Sequence, residues 1–377
     1  MKVVIFCHSL VSDWNHGNAH FLRGISRELV ARGHTVTVFE PRDGWSREHL
    51  VAEYGTQPLR EFQRAFPELR STLYDLDSLD LDAALEHAQL VLVHEWNDPR
   101  LVRRIGLRRW RSQSFRLLFH DTHHRSVTRP SEMKRYDLRH YDGVLAYGEI
   151  IRQIYVDRGW TARAWTWHEA ADIRLFRPLL GRERTGQLVW IGNWGDDERA
   201  SELREFLLAP ARELRLDGSV FGVRYPPDAL AAIAAAGLPY RGWVANHRVP
   251  EILARHAVTV HIPRRPYVEA LPGIPTIRPF EALACGIPLV CSPWDDAERL
   301  FTPGADFLVA RSGIEMARLL RRVLDDREMA RELAQSGRRT ILARHTCGHR
   351  IDELLAIAVE LGLEVGAEAR AVARTNP

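Results

Sequence analysis

LPGIPTIRPFEALACGIPLV, residues 271–290, is the stretch that says most about how this chain folds. A Gly/Pro loop opens it, a short helical pattern follows, and Gly286 and Pro288 end that helix before an apolar, strand-like run. We expect Glu281 in the first turn of the helix, with the basic Arg278 beside it. Free N–H groups at a helix start suit a diphosphate, and a neighbouring carboxylate can accept hydrogen bonds from a ribose diol. The stretch therefore predicts a site for a nucleoside diphosphate.

Strand-like segments alternate with helical patterns along the whole chain. The stretch 20–33, for example, has apolar residues at helical spacing between two such segments. This alternation predicts parallel sheets covered on both faces, and two sets of it predict an α/β chain with two doubly wound, Rossmann-like domains. The predicted strands are 3–7, 35–39, 90–94, 116–120, 143–147, 187–191, 219–223, 258–262, 289–292 and 306–309, with helices at 228–236 and 312–324.

A length of 377 residues also favours two domains of ordinary size. The polar, Gly/Pro-punctuated stretch 171–186 separates the two sets of strands and is predicted to be an interdomain linker. We expect an N-terminal domain over 1–170 and a C-terminal domain over 187–347. A helical pattern without a following strand opens 348–377, so this part is expected to pack back on the N-terminal domain and to end in a frayed tail.

The composition predicts a cytoplasmic protein. No run of 18 apolar residues occurs, so no membrane-spanning helix is expected. The opening MKVVIFCHS lacks a small-residue cleavage site and is interpreted as a first strand and not as a signal peptide. The four cysteines lack zinc-ligand spacing and are expected to be reduced thiols in the cores.

The net charge of +3 is too small for a general polyanion binder, so no nucleic-acid partner is expected. Positive charge is nevertheless concentrated in RLVRRIGLRRWRSQSFR, 100–116, next to Trp110. Two interpretations stay open: contact with a membrane surface or an anionic acceptor, and a solvated helix face. The first would put the protein at the inner face of a membrane.

Polar residues follow the predicted strands of the first half. Glu95 comes directly after one strand, and His120 and Asp121 lie at the end of the next. The first strand leads into a loop with Gly17, which could let backbone N–H groups approach a phosphate or sugar, or could be a plain turn. Ligands of doubly wound folds bind beyond the carboxyl ends of the strands. We therefore expect these groups to converge at one edge of the sheet.

The motif HDTHH, 120–124, has three interpretations. His and Asp are common metal ligands, but no complementary set of ligands is evident elsewhere, so no metal is expected. The second interpretation is contact with substrate, or acid–base chemistry by His120 or Asp121. The third is hydrogen bonding within the loop itself.

Two loops of the second half could contact a ligand. VWIGNWGDDERASEL, 189–203, predicts a strand, a Gly-bounded loop and a helix start, and places Asn193 and Arg199 near a ligand. An arginine there could neutralise phosphate charge, although a surface arginine in a charge pattern is the alternative. GWVANHRVPEIL, 242–253, predicts a strand end, a loop and a helix, whose exposed backbone could contact a nucleobase.

With these motifs the chain resembles the two-domain GT-B glycosyltransferases, in particular the retaining family 4 type and its CgeB-like relatives. The resemblance covers nearly the whole chain. It implies two Rossmann-like domains facing across a cleft, with the acceptor on the N-terminal domain and a nucleotide sugar on the C-terminal one. The motifs that carry it are TIRPFEALACGIPLV (276–290), IGNWGDDER (191–199), HEAADIRLFRP (168–178) and FHDTHH (119–124).

The resemblance implies roles for single residues. Glu281 resembles the glutamate that holds the nucleotide ribose, and Arg199 takes the place of a lysine that binds the donor pyrophosphate. Asn193 stands where many members carry a partner arginine. His120 resembles a histidine near the donor sugar. The implied donor-binding residues are Gly17, Asn193, Arg199, Thr276, Arg278 and Glu281, and the candidate catalytic residues are His120, Asp121 and Glu95.

The chain departs from the family pattern at Gly273, where the first glutamate of the E-x7-E motif is expected. The implied function is still transfer of a sugar, such as a hexose, from a nucleotide-diphosphate donor, without a metal or other cofactor and with retention. The acceptor, a glycan, a lipid-linked molecule or a small molecule, is not identified. Two other classes stay open: a non-catalytic nucleotide-sugar-binding protein, and a nucleotide-sugar epimerase or hydrolase on the same fold.

Overall fold

A computed structural model describes residues 1–365 and divides the chain into two compact units. Unit 1 comprises Met1–His168 and Cys347–Pro377, and unit 2 comprises Glu169–Thr346. The stretch 171–186 is thus counted within unit 2. The predicted frayed tail, 366–377, lies outside the described residues.

The start of the expected linker is packed in the core of unit 2. The backbone N–H of Ala171 donates to the carbonyl of His345 at 3.0 Å. Phe176 is buried among the apolar side chains of the same unit. These contacts explain why the boundary falls at residue 168 and not inside the stretch 171–186.

Unit 1 contains a parallel sheet of seven strands. They are β1 (Lys2–Phe6), β2 (Thr35–Pro41), β3 (Ser71–Tyr74), β4 (Leu90–His94), β5 (Arg116–Asp121), β6 (Gly143–Ala146) and β7 (Ala164–Thr166). Their order in the sheet is β3-β2-β1-β4-β5-β6-β7. The central strands β1 and β4 are apolar and almost wholly buried, as expected of parallel strands covered on both faces.

Helices connect these strands. They are α1 (Ala19–Ala31), α2 (Trp45–Tyr54), α3 (Gln57–Ala65), α4 (Leu81–Ala84), α5 (Pro99–Ser112), α6 (Arg125–Thr128), α7 (Pro130–Met133) and α8 (Glu149–Asp157). None of the helices that the structure describes in either unit is long and apolar enough to cross a bilayer.

Helix α5 contains most of the basic segment noted in the sequence. Three of its arginines form ion pairs, Arg100 with Asp98 at 3.2 Å, Arg109 with Asp142 at 2.8 Å, and Arg108 with Asp82. The helix therefore carries less free positive charge than its sequence indicates, which favours the interpretation as a solvated helix face. Trp110 is 58% exposed on this helix.

Unit 2 contains a parallel sheet of five strands. They are β8 (Gly186–Ile191), β9 (Gly218–Phe221), β10 (His256–His261), β11 (Leu289–Cys291) and β12 (Leu308–Val309), in the order β12-β11-β10-β8-β9. Its helices are α9 (Ala200–Leu203), α10 (Ala209–Leu214), α11 (Pro227–Ala235), α12 (Val249–Ala254), α13 (Arg265–Glu269), α14 (Ile277–Cys285), α15 (Gly313–Asp325) and α16 (Arg327–Arg344). The predicted α/β class with two parallel sheets is confirmed.

The start of helix α14 differs from the prediction for Glu281. It begins at Ile277 after Thr276, so Glu281 is its fifth residue and lies beyond the first turn, not within it. The helix starts before Pro279 because the N–H groups of a first turn have no intrahelical partner, and proline is tolerated there. Gly286 ends the helix as predicted, with a left-handed φ of 66°.

The last described helix, α17 (Cys347–Glu360), belongs to unit 1. It packs against α1, where Arg32 forms an ion pair with Asp352 at 2.5 Å. The indole N–H of the buried Trp167 donates to the carbonyl of Arg350 in α17 at 2.8 Å. The chain therefore returns to unit 1 after the strands of unit 2 are complete. All four cysteines are buried and free, as expected.

Candidate functional site

Three arginines lie close together at the carboxyl edge of the unit 2 sheet, and we call them the arginine cluster. Arg199 follows β8, Arg264 follows β10, and Arg278 lies in the first turn of α14. Burial, and next the positive charges of Arg264 and Arg278, lower the pKa of Arg199 to about 9. Arg199 therefore remains charged at neutral pH, and the cluster places three guanidinium groups at one edge of the sheet.

Neutral oxygen atoms hold Arg199 in place. Its Nη1 donates to the carbonyl of Ile262 at 3.1 Å, and its Nη2 donates to the carbonyl and the Oδ1 of Asn193 at 2.6 and 2.5 Å. Its Nε is buried and has no hydrogen-bond acceptor among the residues that the structure describes. The same residues place no carboxylate within 4.0 Å of this guanidinium. Arg199 is thus positioned without being neutralised.

Arg264 gives the cluster a second guanidinium at Asn193, the position where the resemblance implies a partner arginine. Its Nη2 donates to the Oδ1 of Asn193 at 3.2 Å, and its Nη1 pairs with Glu198 at 2.6 Å. A residue from the loop after another strand, β10, thus contacts the asparagine. The motifs in the sequence do not indicate Arg264, although it follows a predicted strand as Glu95 does.

Glu281 lies beside the cluster and is 1% exposed. Its Oε2 accepts a hydrogen bond from Arg278, one turn earlier on α14. Its Oε1 accepts one from the amide of Asn246 at 2.6 Å. Asn246 belongs to the predicted ligand loop 242–253. As predicted, strand-like pairing precedes this loop, since Tyr240 forms a parallel bridge with Val220 of β9, and a 3-10 turn and helix α12 follow it. The loop contributes a side chain and not only a backbone.

Thr276 precedes α14 and leaves the N–H groups of its first turn uncapped by any side chain. The Thr276 Oγ1 lies 3.3 Å from the Nε2 of His261, the last residue of β10. Burial, and then the charges of Arg199 and Arg278, lower the pKa of His261 to about 3, so its ring is neutral at pH 7. Uncapped helix N–H groups next to arginines form an anion-binding arrangement. The structure thus brings five of the six predicted donor-binding residues together.

The sixth of them, Gly17, belongs to unit 1. It lies in the turn that precedes α1, where its carbonyl accepts a hydrogen bond from the backbone N–H of His20 at 3.3 Å.

The three candidate catalytic residues meet at the carboxyl edge of the unit 1 sheet. Glu95 follows β4, and His120 and Asp121 end β5, the neighbouring strand. The backbone N–H of Glu95 donates to the carbonyl of His120 at 2.9 Å. The expected convergence of these strand ends therefore occurs, but the surroundings of each side chain differ from those of a free acid or base.

Both carboxylate oxygens of Glu95 accept hydrogen bonds from the protein. Oε1 accepts from the backbone N–H of Thr122 at 2.9 Å, and Oε2 accepts from Arg125 at 2.8 Å. Arg125 in turn lies over the ring of Trp96 at 3.9 Å. Because Glu95 is wholly buried in this network, the geometry gives it a positioning role and does not present it as a base.

Asp121 is held in the same way. Its two oxygens accept from the backbone N–H of His123 at 3.0 Å and from the hydroxyl of Tyr155 at 2.8 Å. Burial, and next the charge of Glu95, raise the pKa of this carboxyl. Hydrogen bonding within the HDTHH loop is therefore the interpretation that Asp121 fits. Within residues 1–365, no cluster of three or more His, Cys, Asp or Glu side chains could hold a metal ion.

His120 is the end of a row of four histidines, which we call the histidine row. Neighbouring ring centroids of His8, His16, His94 and His120 are 5.1, 6.2 and 5.3 Å apart. Burial lowers the pKa of His8 to about 4 and that of His120 to about 3. Burial also lowers the pKa values of the other two rings well below the ordinary value, so the whole row is neutral at pH 7.

The comparisons with known proteins agree with this geometry. Residues 199–356 match a family model described as glycosyl transferase-like. No curated protein sequence matches the chain.

Solved structures match over nearly the whole chain. HepE from Anabaena, in complex with UDP and glucose, is 14% identical with a TM-score of 0.66, over 96% of this chain and 100% of HepE. Sucrose-phosphate synthase from Thermosynechococcus elongatus is 14% identical with a TM-score of 0.63, over 96% and 99%. A glycosyltransferase from Rickettsia africae is 11% identical with a TM-score of 0.65, over 96% and 99%.

At these identities the solved structures establish the fold, and the family model matches residues 199–356, most of which lie in unit 2. The predicted resemblance is confirmed at this level, while the family 4 and CgeB-like subtype stays a prediction. The chain therefore has the fold of the GT-B glycosyltransferases, and its residues 199–356 match a glycosyl transferase-like domain.

Proposed function

We propose that this glycosyltransferase moves a sugar from a nucleoside diphosphate donor to an acceptor, without a metal ion and with retention of the anomeric configuration. The observation that carries the proposal is the arginine cluster, in which neutral oxygens hold Arg199 and no carboxylate among the described residues pairs with it. Solved structures of the same fold support the donor class, since HepE binds UDP and UDP-glucose and BGT of T4 phage binds UDP-glucose as its substrate.

In this proposal the bond between the sugar C1 and the diphosphate oxygen breaks while the acceptor oxygen bonds to C1. The sugar becomes oxocarbenium-like, and negative charge grows on the leaving diphosphate. Arg199, Arg264 and Arg278, with the first N–H groups of α14, would stabilise that charge. Fixed groups of this kind are worth about 3–4 kcal/mol each in a water-poor site.

The buried carboxylates of unit 1 favour retention. Inversion needs a base on the face opposite the leaving group. Glu95 and Asp121 already accept hydrogen bonds on both of their oxygens, and burial lowers the pKa of His120 to about 3, which makes its ring a weak base. The departing phosphate oxygen then remains as the base for the acceptor proton, and it lies on the face of the bond that breaks. The anomeric configuration of the product, measured by proton NMR, tests this part of the proposal: an inverted product would contradict it.

Metal independence is proposed because arginines supply the positive charge that a divalent cation supplies elsewhere. We expect turnover in 5 mM EDTA to stay within about twofold of turnover with added Mg²⁺, since neither state changes the arginine cluster. Loss of activity on chelation, restored by Mg²⁺ or Mn²⁺, would contradict this.

A thermal-shift screen with UDP-, GDP-, ADP- and dTDP-sugars tests the donor class. One of them is expected to stabilise the protein by about 2.7 kcal/mol at a hundredfold excess over its dissociation constant. No stabilisation by any of the four at millimolar concentration would contradict the proposal.

Incubation of the stabilising donor without an acceptor separates the alternatives. A glycosyltransferase should release the nucleoside diphosphate slowly by transfer to water, whereas a pure binding protein should release none. An epimerase should return the nucleotide with an altered sugar still attached. The binding-protein alternative is favoured only by Gly273, whose φ is 91° and where a Cβ would lie 2.8 Å from the Cγ of Glu298. That backbone disfavours any side chain at the position.

Glu281→Gln tests the proposed contact with the ribose. The variant keeps the shape but loses the charge that attracts the diol and Arg278, so we expect the donor KM to rise about 10-fold with kcat within about threefold. Steady-state kinetics at varied donor concentration measure both constants. Glu251→Gln, a change at a half-exposed carboxylate of α12, is the control. Equal donor KM in the two variants would remove Glu281 from the donor site.

Acceptor binding by unit 1 is part of the same proposal, and its supports are the resemblance and the polar ends of β1, β4 and β5. Contact of helix α5 with an anionic membrane surface stays a prediction. It would rest on Trp110 and on those basic side chains of α5 that are not in ion pairs.

A further inference from the structure

A second positively charged site lies in unit 2, away from the arginine cluster. A surface cavity of about 930 Å³ is bordered by the starts of β8 and β10 and by Pro288, which precedes β11. In a parallel sheet all strand starts lie at one edge, and the arginine cluster follows the strand ends at the other. The volume is that of a small-molecule site.

Helix α14 joins the two sites. It carries Arg278 in its first turn, and Gly286, directly after its last residue, lines the cavity. Nine helical residues span roughly 13 Å, so a ligand in the cavity would be separate from a donor at the arginine cluster.

The polar lining of the cavity is mainly cationic. Four arginines and two aspartates line it, together with the apolar side chains of Val323 and Leu324. No carboxylate among the residues that the structure describes lies within 4.0 Å of Arg184, Arg327 or Arg338. Three guanidinium groups around one cavity therefore have no carboxylate in direct contact among the described residues.

Arg338 is the arginine most firmly built into this cavity. Its side chain is half-buried and passes Gly286, where an added Cβ would lie 3.8 Å from the Arg338 Cδ. Its Nε is buried, and no described residue accepts a hydrogen bond from it. A buried donor without a partner is uncommon in folded proteins and indicates that a further group completes the arrangement.

We propose that this cavity binds a phosphate-bearing ligand. Guanidinium groups match phosphate oxygens with paired hydrogen bonds, and several of them around an apolar wall suit a phosphate attached to a carbon skeleton. The phosphate could come from a soluble metabolite or from a lipid headgroup, since both offer the same oxygens. The position at the strand starts makes this a site for an additional ligand and not for the transferred sugar.

Inorganic pyrophosphate is the first probe, measured by titration calorimetry on the full chain. The titration uses the Arg199→Ala background, so that binding at the arginine cluster does not obscure binding in the cavity. We expect Arg338→Gln and Arg327→Gln each to weaken pyrophosphate binding at least tenfold. Arg339→Gln is the matched control, because Arg339 is the exposed neighbour on α16 and does not line the cavity.

Vesicles of phosphatidylglycerol, with phosphatidylcholine vesicles as reference, form the second arm. Binding to phosphatidylglycerol that is lost in Arg338→Gln, without pyrophosphate binding, would assign the phosphate to a lipid. Binding of neither probe, or equal binding by the Arg338, Arg327 and Arg339 variants, would overturn the proposal. Arg327→Gln keeps the test valid if Arg338→Gln does not fold, because Arg327 is exposed at the start of α16.

Discussion

Arg199→Ala is expected to lower turnover by about 100-fold or more at saturating donor. The substitution removes a guanidinium that the protein fixes in place with three hydrogen bonds to neutral oxygens. A fixed donor that meets charge developing in the transition state is worth about 2.7–4 kcal/mol, which corresponds to 10²–10³ in kcat. Initial rates of nucleoside diphosphate release give kcat directly.

Three further variants make the Arg199 result specific. Arg278→Ala should also lower turnover about 100-fold, because its guanidinium belongs to the same cluster. Arg199→Lys should recover part of the loss, since it keeps the charge but not the forked geometry. Arg204→Ala, at an exposed arginine paired with Asp228, should leave turnover unchanged. Unchanged turnover in both Arg199→Ala and Arg278→Ala would contradict the assigned role of the cluster.

Acid is expected to destabilise unit 1 through the histidine row. Each of the four rings is neutral in the folded unit because its pKa is lowered by burial, to about 3 for His120 and about 4 for His8. The unfolded chain binds a proton at each ring near pH 6.5. Stability is therefore present above pH 6.5 and falls as the pH drops toward 4, by about 1.4 kcal/mol per pH unit for each ring.

Urea unfolding at pH 7.5, 6.0 and 5.0 measures this dependence. His120→Gln should reduce the slope of unfolding free energy against pH by about 1.4 kcal/mol per pH unit, whatever its effect on stability at pH 7.5. His87→Gln, at a ring whose side chain is 84% exposed, should leave the slope unchanged. The same slope in the wild-type chain and the His120 variant would show that this ring does not titrate as described.

The sheets were largely predictable because their central strands are continuous apolar runs. β4 has the predicted bounds, and most other strands shift by one or two residues. The prediction missed β3 and β7, which are the two edges of the unit 1 sheet. Edge strands of three or four half-exposed residues have neither a buried apolar run nor a clear alternation, so the sequence does not distinguish them from loops.

The candidate site was predictable only in part. The motif spacing indicated Arg199, Arg278 and Glu281, which the fold brings to one edge of a sheet. It did not indicate Arg264 or Asn246, because these contact the same groups from other strands and loops. Contacts between segments distant in sequence follow from the strand order, which local patterns do not specify.

For the candidate bases, the sequence indicated residues that the structure shows to be already engaged in hydrogen bonds. Glu95 and Asp121 are polar, follow adjacent strands and meet as expected, so the sequence favoured them for acid–base chemistry. Their partners, Arg125 and Tyr155, lie 30 and 34 residues further along the chain and satisfy them within the core. Whether a carboxylate is free or already engaged depends on such tertiary contacts, and residue type does not reveal it.

The most direct test is to compare the dissociation constants of a nucleoside and its diphosphate by titration calorimetry, using the base selected in the thermal-shift screen. If the arginine cluster holds the diphosphate, the wild-type chain should bind the diphosphate at least about 100-fold more tightly than the nucleoside, and Arg199→Gln should remove most of that difference. Equal affinities in the wild-type chain, or a preference that Arg199→Gln leaves intact, would contradict the account.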